Sequence, residues 1–114
     1  MLFDLKKNLH EVDVREWQPE ADERIFVTEL TGAEFTEFEK IKERFFNGNE
    51  RDQNEAYARI AVKFALTADG KPFFDDSDIE RLAKGSNKPL RRIFAKLMEL
   101  NDIDPKTLEE LEKN

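Results

Sequence analysis

The chain has 114 residues, of which 39% are charged, and its net charge is −7 at neutral pH. It contains no cysteine, which excludes a disulfide framework, thiol catalysis and a thiolate metal site. The acidic balance also argues against non-specific nucleic-acid binding, because neutralising phosphates requires a net excess of clustered Lys and Arg. We expect one domain over residues 1–114, because the ten phenylalanines, with the Leu, Ile and Val residues, supply enough apolar side chains for a core.

No apolar run approaches the roughly 20 residues that span a bilayer, so we expect no membrane association. The N-terminal residues alternate between apolar and charged types, which is not the pattern of a secretory signal. A soluble, intracellular protein is the expectation.

The N-terminal third has the pattern of two strands. Val12 and Val14 alternate with Asp13 and Arg15 before Trp17, and a second strand is predicted over residues 24–30. The polar residues between them predict a hairpin whose loop has about six residues.

The period then changes to that of helices. Thr31 and Glu34 form a capping box for a first helix, which Asn47-Gly48-Asn49 ends. Its apolar face is predicted at Phe35, Phe38, Ile41, Lys42 and Phe45. A second helix, from about Asp52 to Thr67, has its predicted inner face at Ala56, Tyr57, Ile60, Ala61, Phe64 and Ala65.

A turn at Asp69-Gly70 precedes a short helix, which a Ser77–Glu80 capping box starts and Gly85 ends. The next helix has apolar residues at Leu90, Ile93, Phe94, Leu97 and Leu100, and Asp104-Pro105 starts a last one. The predicted fold is α+β, mainly α: a two-stranded β-hairpin followed by about five short helices. One core should contain Phe35, Phe38, Ile60, Phe64, Ile93, Phe94 and Leu97.

The residues predict no catalytic, cofactor-binding or metal site. Aligning the acidic loop with a calcium-binding EF-hand, with Gly70 at position six, puts Ala65 at position one, where an oxygen ligand is required, and Pro72 at position eight. His10 is the only histidine, and we expect it at a half-exposed strand position. We therefore expect a protein that is not an enzyme and uses no cofactor.

The segment from Arg81 to Met98 contains six basic residues and no acidic one. Arg91 and Arg92 are expected to reach solvent at the flanks of the apolar face of their helix. The predicted protein-contact residues in this segment are Lys84, Lys88, Arg91, Arg92 and Lys96. A solvated face is the usual explanation, but the segment also suits head-to-tail homo-oligomers, as a ring or helical array. Opposing carboxylates would come from residues 34–43 or from Glu109, Glu110 and Glu112.

Two pairs of adjacent phenylalanines, Phe45-Phe46 and Phe73-Phe74, are further candidates for protein contacts. Neighbouring residues on a helix point about 100° apart, so both rings of a pair seldom enter one core. We favour the interpretation that these rings close the edge of the core. The alternative is that one ring of each pair lies at a subunit contact.

With these residues in place, the chain resembles the tail assembly chaperones of long-tailed bacteriophages of the siphovirus type. The likeness is one of pattern and order over roughly residues 10–111. It rests on VDVREW (12–17) with IFVTELTGAEFTEFE (25–39), on ARIAVKFALTADGKPFF (58–74) and on SDIERLAKGSNKPLRRIFAKLMELNDI (77–103). Family members often have glycines after the tryptophan, where this chain has QPEA, and MLFDLKK has no clear counterpart.

The resemblance implies a protein of the host bacterial cytoplasm that is absent from the mature virion. Such chaperones bind the tape measure protein, keep it soluble and help to recruit tail tube subunits around it. In many such phages a translational frameshift adds a second domain, and that extended form contacts the tail tube protein. This chain would correspond to the short form.

A small acidic regulator or inhibitor that binds a phage or host protein is the alternative function. Mimicry of nucleic acid requires carboxylates in phosphate-like rows, and the basic segment 81–96 works against it. A hydrolase has only the abundance of Asp and Glu in its favour. A neighbouring tape measure gene would discriminate between these classes.

Overall fold

The structure is a computed structural model that describes residues 8–17 and 23–102. These residues are mainly helical, with one two-stranded antiparallel sheet and four α-helices. The elements are β1 His10–Val12, β2 Ile25–Val27, α1 Gly32–Phe45, α2 Glu50–Phe64, α3 Ile79–Lys84 and α4 Lys88–Leu100. The predicted class is confirmed, with four described α-helices in place of about five. The helix predicted from Asp104 lies outside the described residues.

The two N-terminal strands pair as expected, but their predicted positions are partly wrong. The first covers His10–Val12 and shares only Val12 with the predicted run of residues 12–17, and the second covers Ile25–Val27 rather than residues 24–30. Val12 is opposite Ile25 and His10 is opposite Val27, and His10 is half-buried as predicted. The strand ends at Val12 because the Asp13 carboxylate accepts a hydrogen bond from the backbone N–H of Arg15 at 3.2 Å and turns the chain. A single 3-10 turn, Arg15–Trp17, follows, so the connection between the strands is longer than the predicted loop.

The predicted capping box at the start of α1 is confirmed. The helix ends at Phe45, just before Asn47-Gly48-Asn49 as predicted, but none of these three residues has the left-handed backbone that the prediction relied on. The Thr31 hydroxyl accepts a hydrogen bond from the N–H of Glu34 at 3.2 Å, and the Glu34 carboxylate accepts one from the N–H of Thr31 at 2.9 Å. After α1 ends, the side chain of Asn49 accepts from the N–H of Asp52 at 3.0 Å and starts α2. This cap explains why α2 begins at Glu50, slightly before the predicted start.

The predicted Ser77–Glu80 capping box is wrong, because Asp75 and Asp78 make the reciprocal bonds. The Asp75 carboxylate accepts from the N–H of Ser77 at 2.9 Å, and Asp78 accepts from the N–H of Asp75 at 3.0 Å. The Ser77 hydroxyl itself donates to Asp75 and is therefore engaged as a donor. A 3-10 turn results, and α3 begins only at Ile79.

The segment between α2 and α3 extends the small sheet. Leu66 and Phe26 exchange backbone hydrogen bonds of 2.8 and 2.9 Å, and Leu66 also pairs with Pro72. The chain reverses at Gly70, whose φ of +79° is readily available to glycine. The predicted turn at this glycine is therefore confirmed. The pairing of Leu66 with Phe26 joins the segment after α2 to the N-terminal strands.

Aromatic rings from three helices meet at the centre of the core. The ring of Phe94 on α4 lies 5.5 Å from that of Phe38, 5.4 Å from that of Phe46 and 5.4 Å from that of Tyr57, measured between centroids. Every residue of the predicted inner face of α2 is buried. These contacts confirm that α1, α2 and α4 share one core.

One predicted core residue is wrong. Phe35 lies on the same face of α1 as the buried Phe38 and Lys42, but in the first turn of the helix, and it is 37% exposed. Its ring packs at the edge of the core, 6.3 Å from that of Phe38. The predicted place of Lys42 in the apolar stripe is confirmed, since it is 4% exposed and its Nζ lies 5.5 Å above the Phe38 ring. No described helix is long and apolar enough to cross a bilayer.

The central position of Phe94 gives a stability prediction. Phe94→Ala should lower the free energy of unfolding by about 3–5 kcal/mol, because a buried ring is lost and three rings lose a neighbour. Phe35→Ala should lower it by about 1 kcal/mol, since that ring is already partly hydrated. Chemical denaturation monitored by circular dichroism measures both values. Equal losses in the two variants would contradict this description of the core.

Candidate partner-binding surfaces

The segment 81–98 does not form the uniformly basic face that its sequence suggested. Three of its basic side chains form ion pairs with carboxylates one helical turn away: Arg81 with Asp78 at 2.8 Å, Lys84 with Glu80 at 2.8 Å and Lys96 with Glu99 at 3.7 Å. Asp78, Glu80 and Glu99 all lie just outside the segment in sequence. Helical geometry brings residues three and four apart together, so the flanking carboxylates neutralise the ends of the segment.

Arg92 binds within the chain. Its guanidinium carbon lies 4.7 Å from the centroid of the Trp17 ring, its Nη1 donates to the carbonyl oxygen of Asp13 at 2.9 Å, and its Nη2 lies 2.8 Å from Glu16 Oε1. These contacts attach α4 to the 3-10 turn that follows β1. Arg92 is exposed, as predicted, but its contacts give it a structural role.

Lys88 and Arg91 are the remaining basic candidates, and both are exposed. The guanidinium of Arg91 lies 5.7 Å from the centroid of the Tyr57 ring, which still leaves its outer face at the surface. Together with Glu16, Trp17 and Arg92 they line a shallow hollow of about 450 Å³. The basic surface is therefore smaller than predicted, and the exposed basic side chains of this hollow are Lys88, Arg91 and Arg92.

The paired phenylalanines divide between core and edge. Phe46 is fully buried, with its ring 5.0 Å from that of Tyr57, which removes it from the candidate contact residues. Phe45 is half-buried, and the guanidinium carbons of Arg44 and Arg59 lie 5.2 Å and 5.0 Å from the centroid of its ring. This arrangement agrees with the favoured interpretation that such rings close the edge of the core.

Phe73 and Phe74 are both half-buried and pack against the core, with their ring centroids 4.9 Å apart. Their partial exposure keeps them among the candidates for a protein contact.

A concave surface of the described residues runs along the outer side of α2. One hollow, of about 740 Å³, lies between the first half of α2 and α3, and a second, of about 360 Å³, lies between α1 and the second half of α2. Arg59, Asp76 and Ile79 line both hollows, so the two adjoin. We call the pair the α2 groove. Sequence reasoning missed it because only the packing of α1 and α3 against α2 creates its walls.

Half-buried apolar side chains form part of the groove lining. Ile79 and Ala83 belong to the hollow beside α3, and Ile41, Phe45 and Ile79 belong to the hollow beside α1. Charged side chains of both signs surround them. Such a surface has apolar area to cover and polar groups to orient a partner, as protein-binding sites do.

Two exposed carboxyl groups have lowered pKa values. Hydrogen bonds donated by the side chain and the backbone N–H of Arg15 lower the pKa of Asp13, and the hydrogen bond from Lys84 lowers that of Glu80. Both groups are therefore ionised at neutral pH, and their charges contribute to the surface potential. Among residues 8–17 and 23–102, no group of three or more His, Cys, Asp or Glu side chains could hold a metal ion.

Comparisons with known proteins return no relative of this chain. No family model matches the sequence, no curated protein is significantly similar to it, and no solved structure has a significantly similar fold. The residues and their geometry, together with the resemblance described above, are what bears on function.

The Arg92–Trp17 contact can be tested directly, because Trp17 is the only tryptophan. Arg92→Ala should shift the tryptophan emission to longer wavelength, because the indole loses a stacked guanidinium and gains water. It should also lower the free energy of unfolding by about 0.5–1 kcal/mol. Arg44→Ala, which removes an arginine that stacks on Phe45 rather than on Trp17, is the matched control and should leave the emission unchanged. An identical spectrum for Arg92→Ala and the unaltered protein would contradict the contact.

Self-association through the basic surface also remains a prediction. If it is electrostatic, the apparent mass from light scattering should fall as salt rises, because exposed ion pairs are screened. Lys88→Glu with Arg91→Glu should favour the monomer at low salt. Arg92 is left unaltered, since its substitution would also release Trp17. An oligomer that persists in high salt would point instead to the half-buried rings of Phe45, Phe73 and Phe74.

Proposed function

We propose that this chain is a tail assembly chaperone of a long-tailed bacteriophage. It binds and solubilises the tape measure protein and helps to recruit tail tube subunits, and it acts in the host cytoplasm and leaves before the virion matures. The observation that carries the proposal is the ordered set of three sequence segments that resemble this family. The described parts of these segments form one packed unit: Leu66 of the second pairs with Phe26 of the first, and Arg92 of the third stacks on Trp17 of the first.

The activity proposed is binding alone. A long, helical tape measure protein has apolar stripes that aggregate when exposed, and a small domain that covers such a stripe keeps the protein in solution. The net charge of −7 on each copy adds repulsion between coated complexes. This mechanism needs no nucleotide, metal or catalytic residue.

Two further parts of the proposal concern assembly. Copies of the chain would line up along the tape measure protein as a ring or helical array, in which heterologous contacts repeat from one copy to the next. The tail tube protein would be contacted through a frameshift-extended form of the chain. The exposed basic pair, Lys88 and Arg91, supports head-to-tail contact with the acidic surface of another copy.

Co-expression tests the function. When this chain is produced with the tape measure protein encoded beside its gene, the soluble yield of that protein should rise several-fold over co-expression with an unrelated acidic domain of similar size. The complex should form from purified components without ATP. A chelator should not dissociate it, because the burial of apolar surface stabilises the complex.

Two results would contradict the proposal. One is a soluble yield that does not change. The other is a requirement for nucleotide or a divalent cation, which would mean that binding alone is not the mechanism.

A further inference from the structure

We infer that the α2 groove is the docking site for a partner helix, which has an apolar stripe and is acidic at one end and basic at the other. The inference rests on the proposed function, since such helices are expected in the protein that a tail assembly chaperone covers. Beyond the proposed function, it names the surface of this chain that binds the partner and the chemistry of the partner segment that is bound.

The groove follows one face of α2 over its whole length. The α2 residues that line the two hollows fall in successive groups along one side of the helix: Glu50 and Arg51, Asn54 and Glu55, Arg59, and Val62 and Lys63. Residues at this spacing lie on one side of a helix. At 1.5 Å per residue, the distance from Glu50 to Lys63 is about 20 Å, which matches a partner helix of about four turns.

The centre of the groove supplies the apolar contact. Ile79 lines both hollows and is half-buried, with Ala83 on one side of it and Phe45 on the other. A helix that lies here would cover these three side chains with its own apolar stripe. Arg59 stacks on Phe45 and forms a 2.8 Å ion pair with Glu55, which holds its alkyl chain beside the same surface.

The two ends of the groove differ in charge. The hollow beside α1 is lined by four basic side chains, among them Lys40 and Lys63, and by two acidic ones, so basic groups are in excess by two. Lys40 and Lys63 both lie within 4 Å of Glu37, and this excess already includes the charge of that carboxylate. The hollow beside α3 is lined by four acidic side chains, among them Glu50 and Glu80, and by three basic ones. An amphipathic helix with opposite charges at its ends complements this difference, whereas a helix with one sign of charge at both ends does not.

A designed peptide is the probe. It has about 16 residues, a leucine stripe at helical spacing, three Glu at one end and three Lys at the other. A second peptide keeps the stripe and carries Lys at both ends, and a third has the composition of the first with the stripe scrambled. Because a helix can lie in either direction, reversing the order of the charged ends would not be a control.

The matched variants are Lys40→Glu with Lys63→Glu inside the groove and Arg24→Glu with Lys71→Glu outside it. All four side chains are exposed, and each variant gives up only exposed ion pairs, with Glu37 in the groove and with Glu11 outside it. Neither variant should therefore alter the fold, which circular dichroism checks. Both variants have the same net charge. Any difference between them in peptide binding therefore reports position rather than total charge.

Fluorescence anisotropy with the full chain measures the binding. The unaltered protein should bind the first peptide better than the other two. The groove variant should bind the first peptide about tenfold more weakly and should prefer the peptide with Lys at both ends. The control variant should behave like the unaltered protein.

Three outcomes would overturn the inference. They are no binding of the first peptide, equal binding by both variants, and a self-association that the groove variant alone abolishes, which would assign the groove to a second copy. Suppose that the unaltered chain solubilises the tape measure protein even though the groove variant binds the first peptide as tightly as the unaltered chain does. In that case the proposed function stands, and a surface other than the groove binds the tape measure protein. If the peptides bind as expected but the chain does not solubilise the tape measure protein, the assignment of the groove as a helix-binding site is supported and the proposed function is contradicted.

Discussion

The packing of Phe94 against three other aromatic rings is the contact on which the rest of the structure depends. Phe38 and Phe46 come from α1 and the turn after it, Tyr57 comes from α2, and Phe94 comes from α4, so one cluster fixes three helices. Arg91 and Arg92 lie three and two residues before Phe94 in the same helix. The packing of Phe94 therefore also sets where the two guanidiniums lie. One of them consequently reaches Tyr57, and the other reaches Trp17.

Fixing α2 in the core also determines its outer face. Because the small and aromatic residues of α2 face inward, its charged residues line the groove between α1 and α3. A buried face that is tightly packed and an outer face that is open and charged are what a binding scaffold requires. The same helix thus links the stability of the domain to the surface that we propose for its partner.

The charge pattern illustrates how a linear count differs from a surface. Six basic residues without an acidic one suggest a patch, but Asp78, Glu80 and Glu99 lie within one turn of the ends of that segment and form ion pairs with it. Each such exposed pair contributes only about 0–1 kcal/mol to stability. Its larger effect is on recognition, because it reduces the charge that a partner meets.

The sequence by itself determined the features whose signals lie within a few residues of each other. The Thr31–Glu34 capping box, the turn at Gly70 and the inner face of α2 follow from local hydrogen bonds and helical periodicity. The features that depend on residues far apart in the sequence follow only from the tertiary structure. Asp13 and Arg92 are 79 positions apart, and the choice of Phe46 over Phe35 for the core depends on which elements cover each ring. The α2 groove belongs to this second group, because the walls of a concave surface come from separate elements and no stretch of sequence encodes them together.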